Sequence, residues 1–305
     1  MKDNTVNLIL QSSRPPNGSG AANIRVRRID EEDLAQVADL LTRGFQNRPR
    51  RFWLKILACL RDRPTVAGLP KYGYLLEKDR IVGVILQIFA KFRSDETATI
   101  RCNVSSWYVE PGFRIYANLL VARALSHENV TYLNVTPSPT TFPILKAQGY
   151  SQYSKGVFVA VPALQPRGRG ARVRIAKAEA HRPANVSQFE HDLLIDHAKF
   201  GCISLWCETA ERAYAFVFRP KVAKRVIPSL QLVYCQELDS FVKFAAPLGR
   251  FLALQGRALV LIDSNGPIPG LIGTYVEAKM PRFFKGENRP RLGDLAYTEI
   301  AMFGL

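Results

Sequence analysis

A break near the middle of the chain constrains its fold more than any other stretch. From Pro162 to Ala171 the sequence reads PALQPRGRGA, with two prolines, two glycines and two arginines between apolar, strand-like runs. Such a stretch sustains neither a helix nor a ladder, so it reads as a linker between two modules. A length of 305 residues suits two domains of ordinary size better than one small core. The expected division is a disordered leader over 1–22, a first domain over 23–162, a linker over 163–171 and a second domain over 172–305. The leader rests on the Ser, Pro, Gly and Asn of residues 11–22. The opening MKDNTVNLIL has one lysine and a short apolar run without a cleavage pattern, so no secretory signal is expected. No apolar run approaches the roughly 20 residues of a membrane-spanning helix.

Hydrophobic periodicity fills in the modules. In the first, Ile24–Arg28 alternates as a strand. Asp30 then caps a helix in which Leu34, Val37, Ala38, Leu40 and Leu41 recur at helical spacing. A second helix is predicted over Arg50–Arg61, then strands over Tyr72–Glu77 and Ile81–Phe92 about a Lys78-Asp79-Arg80 turn. Thr99–Val109 reads as a strand, Tyr116–Ser126 as a helix, Val130–Val135 as a strand, Phe142–Gln148 as a short helix and Tyr150–Val161 as a strand. After the linker a similar order begins again. Strands are expected at Arg172–Lys177, Ser204–Glu208, Tyr214–Phe218, Leu230–Cys235, Ala258–Asp263 and Gly273–Ala278, with helices at Val186–Lys199 and Asp239–Gln255. The end, through Leu292–Phe303, alternates aromatic and polar residues as a terminal hairpin would. The repeated order suggests a duplication without a visible sequence repeat. The predicted class is α/β, two tandem three-layer α/β/α domains with mixed sheets.

The segment richest in chemistry is SSWYVEPGFRIYANLLVARAL, Ser105–Leu125. A strand ends at Val109, a turn follows at Pro111-Gly112, and Arg114 leads into an apolar-periodic helix. A helix opening in this way presents backbone N–H groups and partial positive charge, which suits a pyrophosphate. Here the sequence resembles the GNAT superfamily of acyl-CoA N-acyltransferases, whose signature is a strand, V-x-P, then Arg/Gln-x-x-Gly-x-Gly/Ala opening a helix. Val109, Pro111 and Arg114 match it, and Ala147–Tyr150 (AQGY) resembles the family's Gly-aromatic turn. The resemblance spans Ile24–Val161 and implies two tandem GNAT-like domains, the second degenerate and without its own CoA site. It implies acyl-CoA as co-substrate, no metal, and a cradle formed by Val109, Arg114, Ile115, Tyr116, Ala117, Asn118 and Leu119. It also implies that the end of strand 99–109 splays from strand 130–135 to admit the pantetheine arm. Ala117 and Leu119 depart from the signature, standing where Gly and Gly or Ala are usual. Leu145 replaces the tyrosine that many members use as general acid, and Ser138 and Thr141 replace Asn and Ala upstream. A backbone N–H near Val109 would serve the oxyanion. Tyr108, Tyr116 and Tyr150 are the nearby candidates for the acid, Glu110 is a candidate base, and no base is assigned.

Elsewhere the sequence offers fewer specific signals. Net charge is 42 − 26 = +16, divided as 22 − 13 = +9 over 1–163 and 20 − 13 = +7 over 164–305. It favours acidic partners. Seven cations (Arg43, Arg48, Arg50, Arg51, Lys55, Arg61, Arg63) crowd one stretch against Asp62 alone. They read as a solvated face over a core Phe52 and Trp53, or as a surface for an acidic acceptor or an anionic membrane with those rings inserted. His191 and His197 are six apart, on different helix faces, so they do not form a metal pair. Five scattered cysteines (Cys59, Cys102, Cys202, Cys207, Cys235) read as reduced thiols, pointing to the cytoplasm. The leading expectation is an acyltransferase acting on an amine from one site in the first domain. Its rivals are a non-catalytic acyl-CoA-binding or structural protein and a tandem GNAT-like transferase using aminoacyl-tRNA. Nucleic acid is not the expected partner, since no dense basic stripe with interleaved aromatics stands out.

Overall fold

A computed structural model of the chain describes residues 24–93, 98–166, 170–177, 182–183, 185–223 and 227–304. The leader expected over 1–22 and residues 167–169 of the linker lie outside them. The chain clusters into two compact units, each assembled from separate stretches.

The first unit contains residues up to Phe89, Val104–Glu128 and Ser138–Ile144. It holds β1 (Arg25–Arg28), α1 (Leu34–Gly44), α2 (Arg50–Arg61), β2 (Gly73–Lys78), most of β3 (Arg80–Arg93), the second half of β4 (Ala98–Val109) and α3 (Ala117–Ala124). β1 pairs antiparallel with β2, and β2 with β3 about the Lys78–Arg80 turn, where Asp79 takes φ +52°. A 3-10 turn over Glu31–Asp33 precedes α1, with the Asp30 N–H donating to Asp33 Oδ2 at 2.9 Å. α2 has its predicted bounds, and it buries Trp53, Ile56, Leu57 and Leu60 at i, i+3, i+4 and i+7. Neighbouring residues of a strand face opposite ways. Tyr108 lies against Gly44 of α1, while Val109 and Leu120 of α3 both close on Gly83. α1 and α3 therefore cover opposite faces of this sheet.

The second unit contains Ala90–Asn103, Asn129–Pro137 and the residues from Leu145 on. Its strands are β5 (Val130–Asn134), β6 (Ser151–Ala160), β7 (Arg172–Ile175), β8 (Ile203–Glu208), β9 (Ala213–Ala223), β10 (Ile227–Cys235), β11 (Leu259–Ser264) and β12 (Gly273–Lys285). Its helices are the end of α4 (Phe142–Ala147), α5 (Gln188–Lys199), α6 (Leu238–Ala253) and α7 (Glu299–Phe303). The strand order is β5-β12-β6-β11-β10-β9-β8-β7. β12, from the second half of the sequence, thus lies between β5 and β6 of the first half, and β6 pairs on its other edge with β11.

Side-chain alternation sorts the core of this unit into two layers. Trp206, Val217 and Val233 pack with Leu193 and Leu194 of α5 and with Ile300 and Ala301 of α7. Their strand neighbours Leu205, Cys207, Phe216, Phe218 and Leu232 pack with Phe241, Phe244, Leu248 and Leu252 of α6. A parallel β-α-β crossover occurs twice in the chain, β4-α3-β5 and β10-α6-β11, which matches the repeated order expected from sequence. All five cysteines are free thiols.

The end of the chain corrects the expectation of a terminal hairpin. β12 is one long strand that pairs with β6 and β5, and Asp294 makes a single bridge to Tyr234. Leu292–Phe303 then ends in α7 rather than a strand, with Thr298 before it and Gly304 left-handed after it at φ +73°.

Candidate functional site

β4 and β5 run parallel with Ile100–Asn103 against Val130–Leu133; that ladder ends there, and β4 continues to Val109. Within the continuation Ser106 takes φ +50°, a bulge-like kink that no glycine relieves, and its hydroxyl lies 3.0 Å from that of Ser105. The Glu110 N–H donates to the Val82 carbonyl of β3 at 2.9 Å. Successive amides of a strand point to alternate edges, so the Val109 N–H faces away from β3.

Pro111 opens a 3-10 turn over Pro111–Tyr116, and α3 begins only at Ala117. This corrects the expectation that all amides from Ile115 to Leu119 stand ready for a ligand. The Ala117 N–H already donates to the Arg114 carbonyl, and that of Phe113 to Glu110. Asn118 and Leu119 lie in the first turn of α3, directly after the 3-10 turn. Val109 is buried, Arg114, Tyr116 and Ala117 are half-buried, and Ile115 and Asn118 are exposed. Leu119 is 53% exposed, while Leu120, Val121 and Ala124 hold α3 to the sheet. The bulky residue at the glycine position therefore points to solvent rather than plugging the turn. Gly83 lets Val109 and the neighbouring strand residue Leu76 seat closely: a Cβ there would lie 3.0 Å from Val109 Cγ2 and 3.1 Å from Leu76 Cβ, with Leu120 Cδ2 of α3 at 3.5 Å.

Four cations surround this turn. Glu110 accepts from Arg80 at 2.5 and 2.8 Å and from Arg43 at 3.0 Å. The Lys78 ammonium lies 6.0 Å from the centre of the Phe113 ring. Counting Arg43, Lys78, Arg80 and Arg114 against Asp79 and Glu110 gives 4 − 2 = +2. The hydrogen bond to Arg80, helped by Arg43, holds the Glu110 carboxyl below its usual range despite burial. Glu110 is thus neither an exposed turn carboxylate nor a suitable base: it is a clamp joining α1, β3 and the turn. Its partners lie 30 and 67 residues away in sequence, and only the basic Lys78-Asp79-Arg80 turn hinted at them.

No family profile matches the sequence, and no curated protein matches it either. Among solved structures the chain is similar to a GCN5-related N-acetyltransferase from Anabaena variabilis, with a TM-score of 0.56 and 10% identity over 86% of this chain and 72% of that one. It is also similar to a GCN5-related N-acetyltransferase from Kribbella flavida, with a TM-score of 0.53 and 14% identity over 86% and 70%. The chain has the GNAT fold.

Within that fold, the candidate acids fare unequally. Tyr108 packs its ring against Gly44, where a Cβ would come within 2.5–2.8 Å of it, and lies 6.3 Å from the Phe45 ring. Tyr116 precedes α3 at φ −95°, ψ 0°. Tyr150 is buried, and burial, then Cys102 and Tyr132, pushes its phenol well above the ordinary value. It belongs to the core of the second unit. Its backbone closes the Gly-aromatic turn: Tyr150 N–H donates to Leu145 and Gly149 N–H, at φ +82°, to Lys146. Leu145, which the resemblance set at the acid position, is itself buried. The Thr141 hydroxyl donates to the Ser138 carbonyl at 2.7 Å.

The histidine pair of the sequence resolves as packing. Buried His197 accepts from the Tyr297 N–H at Nε2 and contacts the Leu193 carbonyl through Nδ1. No group of three or more His, Cys, Asp or Glu residues able to hold a metal occurs among the described residues. Trp53 is buried, which corrects the idea that it inserts into a membrane. No helix among the described residues is long and apolar enough to cross one.

The second GNAT-type crossover is closed by the chain itself. β10 pairs with β11 only over Ser229–Gln231 and then runs on to Cys235. On the edge of β10 opposite β9, Cys235 N–H donates to Gly293 at 2.9 Å and Leu295 N–H to Val233 at 2.7 Å. Residues 293–295 thereby occupy the strand edge that is left unpaired in β10's continuation.

Proposed function

We propose that the chain transfers an acyl group from acyl-CoA to an amine acceptor through one site in the 23–162 module. The observation that carries the reading is the continuation of β4 past its ladder into a cationic turn that opens α3 in a GNAT fold. In this reading Arg114 and the Asn118 and Leu119 amides hold the diphosphate, with Lys78 and Arg80 adding positive potential. The Val109 N–H, facing away from β3, donates to the polarised carbonyl. Bound acyl-CoA supplies the activated thioester, and an amine accepts the acyl group. The 172–305 module retains the fold without a second cradle, and the free cysteines support a reducing cytoplasm.

Specific binding raises the melting temperature by mass action, so CoA, acetyl-CoA and longer acyl-CoAs should each be scanned. Thiol release with a panel of amines then tests transfer. An unchanged melting temperature with every thioester would remove the proposal. One second reading has support of its own, an acyl-CoA-binding protein without catalysis. Leu145 supplies no proton, Tyr150 is buried and Glu110 is clamped, so the expected proton routes are reduced to Tyr108 and Tyr116. Binding without thiol release would select this reading.

A further inference from the structure

Seven of the fifteen lysines and arginines among the described residues of the first unit pair with carboxylates. Arg25 and Arg27 pair with Glu77, Arg27 with Asp33, Lys71 with Glu31, Arg43 and Arg80 with Glu110, Arg50 with Asp39 and Arg61 with Asp62. The outer stripe of α2 carries a cluster of cations without such a pair. Arg48, Arg51 and Lys55 are exposed, and none has a carboxylate within 4 Å among the described residues. Arg51 stands in the first turn of α2, which carries no acidic residue. Cations there oppose the helix dipole, so the arrangement costs some stability and suits an external anion. Leu54 is 38% exposed between Arg51 and Lys55 on the same stripe. At the head of the helix the Arg48 guanidinium lies 4.6 Å from the centre of the half-buried Phe52 ring.

We propose that this α2 face is a peripheral docking surface for an anionic phospholipid bilayer. Charge complementarity identifies the lipid class: three unpaired cations within about 10 Å along the helix match a surface of negative headgroups. Leu54 selects a bilayer over a nucleic acid. An apolar tooth among cations gains nothing from phosphates in water, but gains burial at the boundary between headgroups and acyl chains. Trp53 stays in the core, so Leu54 and the edge of Phe52 make the apolar contact. The surface is small, which fits weak, reversible and salt-sensitive attachment.

Co-sedimentation of the full chain with vesicles of phosphatidylcholine alone, and of phosphatidylcholine mixed equally with phosphatidylglycerol, tests this. Binding is expected only to the mixed vesicles and should fall as salt rises. At roughly fivefold per cation, Arg51→Gln with Lys55→Gln should weaken it about 25-fold, and Leu54→Ala should weaken it about fivefold. Lys243→Gln with Arg250→Gln, exposed cations of α6, changes net charge equally and should leave binding nearly intact. Thermal melts should confirm that the variants fold, as all substituted side chains are exposed. The proposal is overturned by absence of binding at low salt, or by equal losses in the α2 and α6 pairs. Leu54→Ala without effect, together with tight binding of a single-stranded oligonucleotide at the same face, would overturn it in favour of nucleic acid.

Discussion

Arg282 on β12 offers the sharpest test of how the interleaved sheet is held. Arg282 is 1% exposed and Asp263 on β11 is 2% exposed. Nε and Nη2 donate to the carboxylate at 2.8 and 3.1 Å, and Nη1 donates to the Val135 carbonyl just after β5. One side chain thus ties together three strands from both halves of the sequence. Arg282→Met keeps the apolar stem but leaves Asp263, among the described residues, with the 3.3 Å hydrogen bond from Gln231 and the nearby charge of Lys221, and strips a donor from a buried carbonyl. Breaking a buried pair on one side costs about 3–5 kcal/mol. The lost carbonyl bond lies within that range rather than adding in full, so about 4 kcal/mol is expected, equivalent to roughly 10 °C in melting temperature. Replacing both partners, Arg282→Met with Asp263→Leu, should recover most of the loss, because an apolar pair strands no charge. Urea unfolding of wild type, both single variants and the double variant gives the coupling directly. A loss below about 1 kcal/mol for Arg282→Met, or a double variant whose loss equals the sum of the singles, would refute the reasoning.

Three further outcomes follow from particular contacts. Gly83→Ala should cost about 1–3 kcal/mol by crowding Val109 and Leu76 and should reduce stabilisation by CoA, whereas Gly112→Ala, with nothing within 4 Å of the added Cβ, should do neither; thermal melts with and without CoA decide. Glu110→Gln should cost about 1 kcal/mol at neutral pH, discounted because Arg43 and Arg80 remain half-exposed. The folded carboxyl titrates lower than the unfolded one, so the clamp contributes fully above the unfolded value and its contribution is lost as pH falls through the folded one. The gap between wild type and variant should accordingly close below roughly pH 4, as melts at neutral and acid pH would show. A fragment ending at residue 166 should fail to fold, since β6 would lose β11 and β12 together; a dispersed amide spectrum from it would contradict the interleaved order.

Local elements were largely legible in the sequence because their signals are local. α2 has its predicted bounds because its apolar spacing and Pro49 define it, and the Lys78–Arg80 turn holds because Asp79 tolerates a positive φ. The partners of strands were not legible. Nothing in Gly273–Lys285 says that it will lie between β5 and β6, since pairing over more than a hundred residues depends on tertiary packing. The Thr298 and Gly304 that bound α7 are ordinary start and stop signals, but the surrounding aromatic alternation obscured them. At the candidate site the strand-turn-helix framework was readable from Val109, Pro111 and Arg114. The 3-10 entry, which spends the Ala117 amide, and the Glu110 clamp depend on geometry that the motif does not encode.

The two crossovers of the chain differ in what completes them, and that difference sets the expected stoichiometry. Beyond Gln231 the edge of β10 is hydrogen-bonded by residues 293–295, and Gly293, at φ +77°, would place a Cβ 2.8 Å from Cys235 Sγ. Asp294 in the same segment is buried; burial alone would push its carboxyl up, yet Arg101 and Arg291 hold it below the ordinary value. Removing the segment to admit a ligand would break two backbone bonds and the 2.7 Å pair with Arg101, which little in a pantetheine arm could replace. Calorimetric titration with CoA should therefore reach one equivalent per chain. Two equivalents of similar affinity would show that residues 293–295 are a displaceable strap, and a melting temperature raised by CoA with Gly293→Val more than in wild type would show the same.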